Sequence, residues 1–224
     1  MPRKRKSTDR SRQRPDSLGD SRDAEVRIVG GKFRGRRLNY HGDPVVRPMK
    51  HRTREAIFNL VSTECEGLHA IDLFAGTGAL GLEALSRGAA SATFIERHVP
   101  SARIVDENIR TLDVEDRAKL QVTNTFLWAK RDLCSADSAP PADIPWLVFC
   151  SPPYSLYQEQ PADMLDLVQR IQQHAPPESI LIVEAQQPFD FELFRSANTI
   201  DASLWDIRSY PPAVVGLWRA RTAE

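Results

Sequence analysis

The sequence predicts an α/β fold in which helices cover both faces of a mostly parallel sheet. Short apolar strands alternate with helical segments from about Leu68 onward, and a glycine-rich turn joins the first of those strands to a helix. Two strands expected near 203–210 and 213–220 lie so close in sequence that they favour an antiparallel C-terminal pair. A chain of 224 residues with this pattern predicts one principal domain with room for an appendage.

The first quarter of the chain carries a positive charge that the remainder balances. Residues 1–54 contain 17 Lys and Arg against 6 Asp and Glu, although the complete sequence has 30 of each class. We expect residues 1–24 to be a disordered basic arm, because they show no apolar periodicity. A basic first quarter on an acidic body predicts a polyanionic partner.

Residues 25–64 are expected to form an N-terminal β-hairpin and a helix, followed by the main domain over 65–224. Two short strand-like segments, 26–29 and 32–38, surround a Gly-Gly step and indicate the hairpin. Apolar residues at helical spacing within 51–63 indicate the helix. The cations of this region that we expect to contact a polyanion are Arg27, Lys32, Arg34, Arg36, Arg37, Arg47, Arg52 and Arg54.

The main domain is predicted as a series of β-α units. Its earlier strands are expected at about 70–74, 91–96, 119–123, 146–150 and 179–184. Its first helix is expected to begin after the glycine turn and to end near Arg87. Further helices are expected at about 99–112, 125–133 and 161–174.

Several classes of protein are disfavoured by what the sequence lacks. It has no apolar run of about 18 residues, the length that spans a membrane, and no apolar segment follows the basic N-terminus as in a secretory signal. Cys65, Cys134 and Cys150 form no CxxC pair, so neither a zinc knuckle nor a disulfide framework is predicted. We expect three buried or half-buried thiols, a cytoplasmic location, no metal and a monomeric protein.

A glycine-rich loop follows the strand at 70–74 and opens a helix. Its pattern is Gly76-x-Gly78-x-x-Gly81, and glycine suits it because the backbone must approach a ligand closely and can adopt positive φ. Ligands of open α/β sheets bind at the carboxyl ends of the strands, where Glu96 could accept hydrogen bonds from ribose hydroxyls. The residues of this region predicted to bind a cofactor are Asp72, Phe74, Ala75, Gly76, Thr77, Gly78 and Glu96.

The loop pattern fits NAD as well as S-adenosylmethionine, and two further observations favour the second. Asp72 stands at the strand end, where a carboxylate suits a cationic cofactor better than a pyrophosphate. No dehydrogenase constellation follows, because no histidine ends a predicted central strand and each is expected at the surface. The five histidines are His41, His51, His69, His98 and His174.

A second motif, Ser151-Pro152-Pro153-Tyr154, follows the strand at 146–150. Two consecutive prolines fix φ and remove two N–H donors, which leaves carbonyl oxygens facing a pocket without competing amides. Acceptors such as the Pro152 carbonyl and the Ser151 side chain could draw the hydrogens of an exocyclic base amine and expose its lone pair, while Tyr154 stacks on the base. We therefore predict these four residues to form the catalytic motif of a transfer to a base amine.

These motifs together resemble one family. Residues 26–60 resemble the N-terminal signature of the bacterial 16S rRNA guanine-N2 methyltransferases, the ribosomal small subunit methyltransferase D group, and residues 72–96 resemble that family's cofactor motif. The resemblance extends over about 26–220. It implies a Rossmann-like class I S-adenosylmethionine-dependent methyltransferase with an N-terminal β-hairpin. It further implies that the hairpin and the arginines that follow it help to hold 16S rRNA of the small ribosomal subunit.

The chain departs from the family pattern at three places. Ser151 replaces the usual Asp of Asp-Pro-Pro-Tyr or Asp-Pro-Pro-Phe. The resulting Ser-Pro-Pro-Tyr is also similar to the motif of amino-directed DNA methyltransferases. Thr125 stands near the position of an Asp that would contact the adenine amino group, and it is the remaining predicted cofactor residue. Residues 49–53 read Met-Lys-His-Arg-Thr instead of Thr-Thr-Asp-Arg-Val.

Other functions remain open from the sequence alone. The departures at Ser151 and Thr125 would also suit a non-catalytic RNA-binding or ribosome-assembly factor on a methyltransferase fold. The Ser-Pro-Pro-Tyr form would suit a DNA amino-methyltransferase, although the chain has no obvious target-recognition domain. An NAD-dependent dehydrogenase is the remaining alternative.

Overall fold

The computed structural model describes residues 26–40, 49–61, 63–135, 138–195 and 205–220. The arm expected at 1–24 and the candidate RNA contact Arg47 lie outside these residues. Within the described part of the chain, no helix combines the length and the apolar character that crossing a membrane requires.

The described strands and helices follow the predicted β-α order. The strands are β1 (Val26–Arg27), β2 (Arg37–Leu38), β3 (His69–Asp72), β4 (Ser91–Ile95), β5 (Ala118–Gln121), β6 (Trp146–Cys150), β7 (Ile180–Gln186), β8 (Trp205–Tyr210) and β9 (Ala213–Arg219). The α-helices are α1 (His51–Val61), α2 (Ala79–Ser86), α3 (Val99–Leu112), α4 (Thr125–Arg131), α5 (Leu156–Glu159), α6 (Pro161–His174) and α7 (Glu192–Arg195).

The main sheet has seven strands in the order β5-β4-β3-β6-β7-β9-β8. β3 pairs in parallel with β4 on one side and with β6 on the other, whereas β9 runs antiparallel to both β7 and β8. This confirms the mostly parallel sheet and the antiparallel C-terminal pair. Because the chain moves outward from β3 in both directions, the carboxyl ends of β3 and β6 flank the switch point where such folds bind ligands.

Two hydrophobic clusters cover the two faces of this sheet. The apolar side chains of β3, β6 and β7 alternate between the clusters, as in a sheet that is buried on both faces. The N-terminal segment joins one of them, since Val26, Ile28, Phe33 and Leu38 are buried in the same cluster as residues of α1 and α2. The appendage is therefore packed onto the core of the main sheet.

The N-terminal hairpin is shorter than the sequence predicts. Only two residue pairs, Val26 with Leu38 and Arg27 with Arg37, form the antiparallel ladder of β1 and β2. The expected second strand at 32–38 is mostly turn, because its first backbone donors bond to α2 and not to a partner strand. The Lys32 N–H donates to the Ser86 carbonyl oxygen at 2.7 Å.

A buried carboxylate holds this turn on α2. Both oxygens of Glu83 accept hydrogen bonds from backbone N–H groups, those of Val29 and Gly30, each at 2.7 Å. The Glu83 side chain is fully buried and also pairs with Arg87, whose Nε lies 2.9 Å away. These bonds satisfy an otherwise costly buried charge and fix the N-terminal segment against the helix that follows the glycine loop.

The expectation that every histidine lies at the surface is wrong for His69. This residue begins β3 and is buried, with Nδ1 2.7 Å from the Ser91 hydroxyl and Nε2 3.0 Å from the Thr93 hydroxyl of β4. Burial, assisted by the nearby charge of Lys119, lowers the pKa of His69 to about 4. His69 is thus a neutral packing residue of the central strand.

The predicted burial of the three thiols holds for two of them. Cys65 and Cys150 are free and buried, whereas Cys134 is exposed. Cys134 follows α4 in a turn, where the chain leaves the core, and this explains the wrong prediction for that residue.

Candidate active site

The glycine loop connects β3 to α2 at the carboxyl edge of the sheet. Gly76 and Gly78 have φ of 57° and 77°, a left-handed conformation that favours glycine. The Gly78 N–H donates back to the Ala75 carbonyl oxygen at 2.6 Å, so the turn is closed before the helix begins. The predicted residues Ala75, Gly76, Thr77 and Gly78 therefore lie together at the start of α2.

Asp72, at the end of β3, contacts the backbone at the other end of this loop. Its side chain is only 2% exposed, and its carboxylate accepts a hydrogen bond from the Gly81 N–H at 3.1 Å. Burial raises the pKa of Asp72 to about 7, and the neighbouring charge of Glu96 acts in the same direction. A buried carboxylate with a raised pKa gains most from a cationic ligand nearby.

Glu96, directly after β4, ties the second strand end to the loop. One carboxylate oxygen accepts from the Gly76 N–H at 2.8 Å, and the other accepts from the His98 N–H at 2.7 Å. Glu96 remains half-buried, so its oxygens keep lone pairs that face solvent. Glu96 and the glycine loop are therefore in direct contact, and the binding of ribose by Glu96 stays a prediction.

An apolar rim lies beside Glu96. Among the described residues, Val99, Val122 and Leu127 are large hydrophobic side chains that are markedly exposed. They follow the carboxyl ends of β4 and β5, and Thr123, beside Val122, donates its N–H to the Glu96 carbonyl oxygen at 3.1 Å. Sequence reasoning missed this rim, of which only Val122 directly follows a strand.

Phe74 is half-buried on the loop and packs edge-on against Phe126, with ring centroids 6.3 Å apart. The two rings close the space between the glycine loop and the start of α4. An apolar rim, an aromatic pair and a carboxylate could hold a purine nucleoside, with its base on the apolar side and its ribose on Glu96.

Thr125 has a structural contact, and its predicted contact with the cofactor stays a prediction. It is buried at the start of α4, and its hydroxyl donates to the Leu73 carbonyl oxygen at 2.5 Å. Its proton therefore serves the fold at the end of β3. The neighbouring Asn124 caps α4, accepting from the N–H groups of Phe126 and Leu127 at 2.9 and 3.1 Å, and its position was not singled out from the sequence.

The Ser-Pro-Pro-Tyr motif forms the turn directly after β6. The Pro153 carbonyl oxygen accepts from the Leu156 N–H at 3.0 Å and starts α5. Within the described residues, no backbone or side-chain donor reaches the Pro152 carbonyl oxygen, which is thus available as an acceptor. Ser151 and Tyr154 are half-buried, so both remain partly accessible to solvent.

Glu184 is a further residue of this site that sequence reasoning missed. It follows Val183 of β7, whose partner in the parallel register is Cys150, so it lies next to Ser151. The Ser151 and Tyr154 hydroxyls donate to its two carboxylate oxygens, and the Tyr157 hydroxyl donates to its carbonyl oxygen at 2.9 Å. The signal was present in the sequence, because Glu184 ends the predicted apolar strand at 179–184 just as Glu96 ends the predicted strand at 91–96.

The electrostatics of Glu184 reflect its burial. It is only 5% exposed, and desolvation raises the pKa of its carboxyl group while the hydrogen bonds from Ser151 and Tyr154 oppose that rise. Burial, and after it the contact with Glu184, raises the pKa of the Tyr154 hydroxyl, which keeps this phenol protonated as a donor. The turn lacks an acid of its own, but the next strand supplies one.

The basic N-terminal segment presents most of its predicted cations to solvent. Arg27 is half-buried, and the exposed members are Lys32, Arg34, Arg36, Arg37 and Arg52. The Arg36 guanidinium donates to the Thr111 carbonyl oxygen near the end of α3. Lys32 lies at the end of α2, one helix length of about 12 Å from the glycine loop.

Arg54 has to be removed from the solvent-facing set. Its side chain is 1% exposed, its guanidinium donates to the Arg27 carbonyl oxygen, and its Nε lies 3.9 Å from Glu83. Burial lowers the pKa of Arg54, and Glu83 opposes that effect. Arg54 therefore supports the junction between the hairpin and α2 and does not face a partner.

No group of three or more metal-ligating side chains is found in the described part of the chain. The site is thus composed of a glycine loop, carboxylates, hydroxyls, aromatic rings and carbonyl acceptors at one edge of the sheet.

Comparison with known proteins gives a consistent result. The model of the family described as conserved hypothetical protein 95 matches residues 26–201, more than three quarters of the chain. The ribosomal RNA small subunit methyltransferase D of Escherichia coli K12 is 44% identical over 88 residues, which are 39% of this chain and 44% of that protein. The match thus spans less than half of that relative's length.

Solved structures share the fold. A hypothetical protein of Thermus thermophilus superposes with a TM-score of 0.67 at 23% identity, covering 87% of this chain and 99% of the other. An RNA methyltransferase of Salinibacter ruber in complex with S-adenosyl-L-homocysteine superposes with a TM-score of 0.54 at 14% identity, covering 79% and 95%. At these identities the likeness establishes the class I methyltransferase fold.

Proposed function

The chain belongs to the family described as conserved hypothetical protein 95, and from this premise we propose that it is an S-adenosylmethionine-dependent methyltransferase of small-subunit ribosomal RNA. We propose further that the accepting atom is the exocyclic N2 of a guanine in 16S rRNA. The similar protein of Escherichia coli is named a methyltransferase of small-subunit ribosomal RNA, and the guanine N2 is what the resemblance of the motifs to the guanine-N2 methyltransferases implies.

This proposal is supported above all by two half-sites, the glycine loop and the Ser-Pro-Pro-Tyr turn, which lie at the same edge of the sheet. The glycine loop follows β3 and the Ser-Pro-Pro-Tyr turn follows β6, and these strands are neighbours with Asp72 opposite Phe149. A cofactor on the loop and a base in the turn would therefore face each other across the switch point of the sheet.

The residues of the first half-site fit the cofactor. Asp72 and Glu96 supply negative charge, the apolar rim of Val99, Val122 and Leu127 suits an adenine ring, and the glycines let the backbone approach closely. S-adenosylmethionine, when bound, supplies a methyl group that is already activated as a sulfonium. The work left to the protein is to orient the acceptor atom and to exclude water.

The residues of the second half-site fit a base amine. An exocyclic amine is a weak nucleophile, because its lone pair is delocalised into the ring. The Ser151 hydroxyl and the Pro152 carbonyl are acceptors for the donors on the edge of the base, and a hydrogen bond from the amine to either of them favours a pyramidal nitrogen. Tyr154, whose hydroxyl donates to Glu184, is proposed to stack on the base.

The exposed cations of the N-terminal segment are proposed to hold the RNA backbone. Lys32, Arg34 and Arg36 lie on the turn that packs on the far ends of α2 and α3, away from the pocket. A strand of RNA that enters the pocket would have to extend along the hairpin to reach them. They would then contribute affinity without touching the reacting base.

The experiment that tests the proposal is methylation of under-methylated 30S subunits with labelled S-adenosylmethionine, followed by mapping of the label. Label is expected in a guanine of 16S rRNA, at N2. Protein that binds S-adenosylmethionine but leaves guanine unlabelled would overturn the proposal. Label in adenine or cytosine of DNA would instead identify a DNA amino-methyltransferase.

A further inference from the structure

Glu184 connects two hydroxyl groups of the target pocket. It ends up beside Ser151 because β6 and β7 are parallel neighbours, and it is nearly inaccessible to solvent. Each of its carboxylate oxygens receives one hydroxyl, that of Ser151 on one side and that of Tyr154 on the other.

These contacts determine where the protons of both hydroxyls point. An ionised carboxylate can only accept hydrogen bonds, and a serine hydroxyl has a single proton to donate. With that proton directed at Glu184, the Ser151 oxygen can present only lone pairs to the pocket. The Pro152 carbonyl oxygen, to which no described donor is bonded, is a second acceptor of the same turn.

An edge of acceptors discriminates between the bases that carry an exocyclic amine. Guanine places two donors side by side on its pairing edge, the N1–H and the N2 amine. Adenine and cytosine place a ring nitrogen that accepts hydrogen bonds next to their amine. An acceptor facing an acceptor leaves both unpaired, which is a strong basis for rejecting the wrong base.

We propose that Glu184 is a positioning residue that fixes the Ser151 hydroxyl as an acceptor and thereby selects guanine in the target pocket. This inference rests on the proposed function, since it concerns the base that the same site accepts. It also accounts for the serine in place of an acid, because Glu184 imposes on a hydroxyl the acceptor-only character that a carboxylate has by itself.

The test is Glu184→Gln, compared with the wild type on two kinds of 30S subunit. One kind carries the guanine that the mapping experiment has located, and the other carries adenine at that position. In the variant, Tyr154 can still donate to the amide oxygen, which leaves the amide NH₂ group facing Ser151 and turns the serine proton toward the pocket. The ratio of kcat/KM for guanine over adenine is therefore expected to fall by at least about tenfold.

Two further measurements separate positioning from a structural role. The dissociation constant for S-adenosylmethionine is expected to stay within about twofold of the wild type, while kcat on guanine falls by about ten- to a hundredfold. Since Glu184 acts through Ser151, the double variant with Ser151→Ala is expected to be no more than about twofold slower than Ser151→Ala alone. Glu159→Gln, which removes an exposed carboxylate on α5, is the charge-matched control and should match the wild type.

The outcomes are distinguishable from failure of the proposed function. A wild-type protein that labels no guanine contradicts the function itself. A wild type that labels guanine, with a Glu184→Gln variant that keeps both its kcat and its base preference, overturns the role of Glu184 alone. Should Glu184→Gln not fold, Glu184→Asp takes its place, because the shorter carboxylate cannot reach both hydroxyls and is expected to lose selectivity in the same way.

Discussion

The side-chain amide of Asn108 in α3 donates a hydrogen bond to the carbonyl oxygen of Thr77 in the glycine loop, at 2.9 Å. The same amide group exchanges hydrogen bonds with the backbone of Asn39, accepting from its N–H at 2.6 Å and donating to its carbonyl oxygen at 3.1 Å. One fully buried side chain therefore joins the N-terminal segment to the loop that we propose holds the cofactor.

Asn108→Ala is expected to weaken both the fold and the loop. Three backbone groups lose their partner, and one of them, the Thr77 carbonyl oxygen, is buried, so the free energy of unfolding should fall by about 1–3 kcal/mol. The affinity for S-adenosylmethionine should fall as well, because Thr77 is no longer held. Urea unfolding and calorimetric titration measure the two effects, with Arg103→Ala, on the exposed face of α3, as the control. Equal cofactor affinity in both variants would contradict the role of Asn108.

The docking of the N-terminal turn on α2 can be tested with two glycines of the same backbone conformation. Gly31 and Gly35 have φ of 73° and 82°, so alanine is strained at both positions by about 1 kcal/mol. A Cβ on Gly31 would also overlap the Ser86 carbonyl oxygen, whereas a Cβ on Gly35 would meet open space. Gly31→Ala should therefore lower the free energy of unfolding by several times as much as Gly35→Ala. Similar losses in the two variants would show that the turn is not held against Ser86.

His69 should make stability depend on pH. Its pKa of about 4 in the folded protein lies below the ordinary value of 6.5, so protonation favours the unfolded chain. The contribution of neutral His69 is complete above about pH 6.5 and is lost as the pH falls toward 4, for a total of about 3 kcal/mol. Urea unfolding of the wild type and of His69→Gln measures this loss as a difference between two curves. Parallel curves between pH 4 and 7 would contradict it.

Much of the fold was predictable from the sequence, because the strands are apolar and the helices amphipathic. The bounds of α3, β6 and α6 agree with prediction, and the antiparallel C-terminal pair follows from its short connection. The prediction was wrong where a contact between distant segments decides the conformation. Ser86 turns the expected strand at 32–38 away from its partner, and no local pattern reveals this.

The site was predictable where its residues are adjacent in sequence and hidden where they are not. The glycine loop and the Ser-Pro-Pro-Tyr turn could be read as motifs. Glu184 lies 33 residues from Ser151, and its contact with that residue depends on the register of β6 and β7. Arg54 matched a family position, but only the packing of α1 against α2 shows that it is buried.

Asp72 should couple cofactor affinity to pH. Its pKa of about 7 reflects burial without a compensating charge, and a bound cation would favour the carboxylate and lower that pKa. Binding below pH 7 therefore releases a proton, so the affinity for S-adenosylmethionine should rise with pH up to about 7 and level off above it. The slope below pH 7 should approach about one decade per pH unit.

Calorimetric titration of the wild type and of Asp72→Asn between pH 5.5 and 8.5 measures the slope that belongs to Asp72. The variant carries no titratable group there, and the titration of the cofactor itself cancels in the comparison. Equal slopes in the two proteins would exclude Asp72 as the group that titrates.

The exposed cations of the N-terminal turn should act on RNA affinity and leave the chemical step unchanged. Lys32, Arg34 and Arg36 lie at the far ends of α2 and α3, and they are exposed to solvent. Replacing all three by Ala should raise the KM for 30S subunits and leave kcat within about twofold, because binding remote from the base does not change its orientation. The slope of log affinity against log salt should fall by about 0.7–0.9 for each phosphate contact that is lost. Arg208→Ala, an exposed cation on β8, serves as the control, and an unchanged salt slope in the triple variant would place the RNA on another surface.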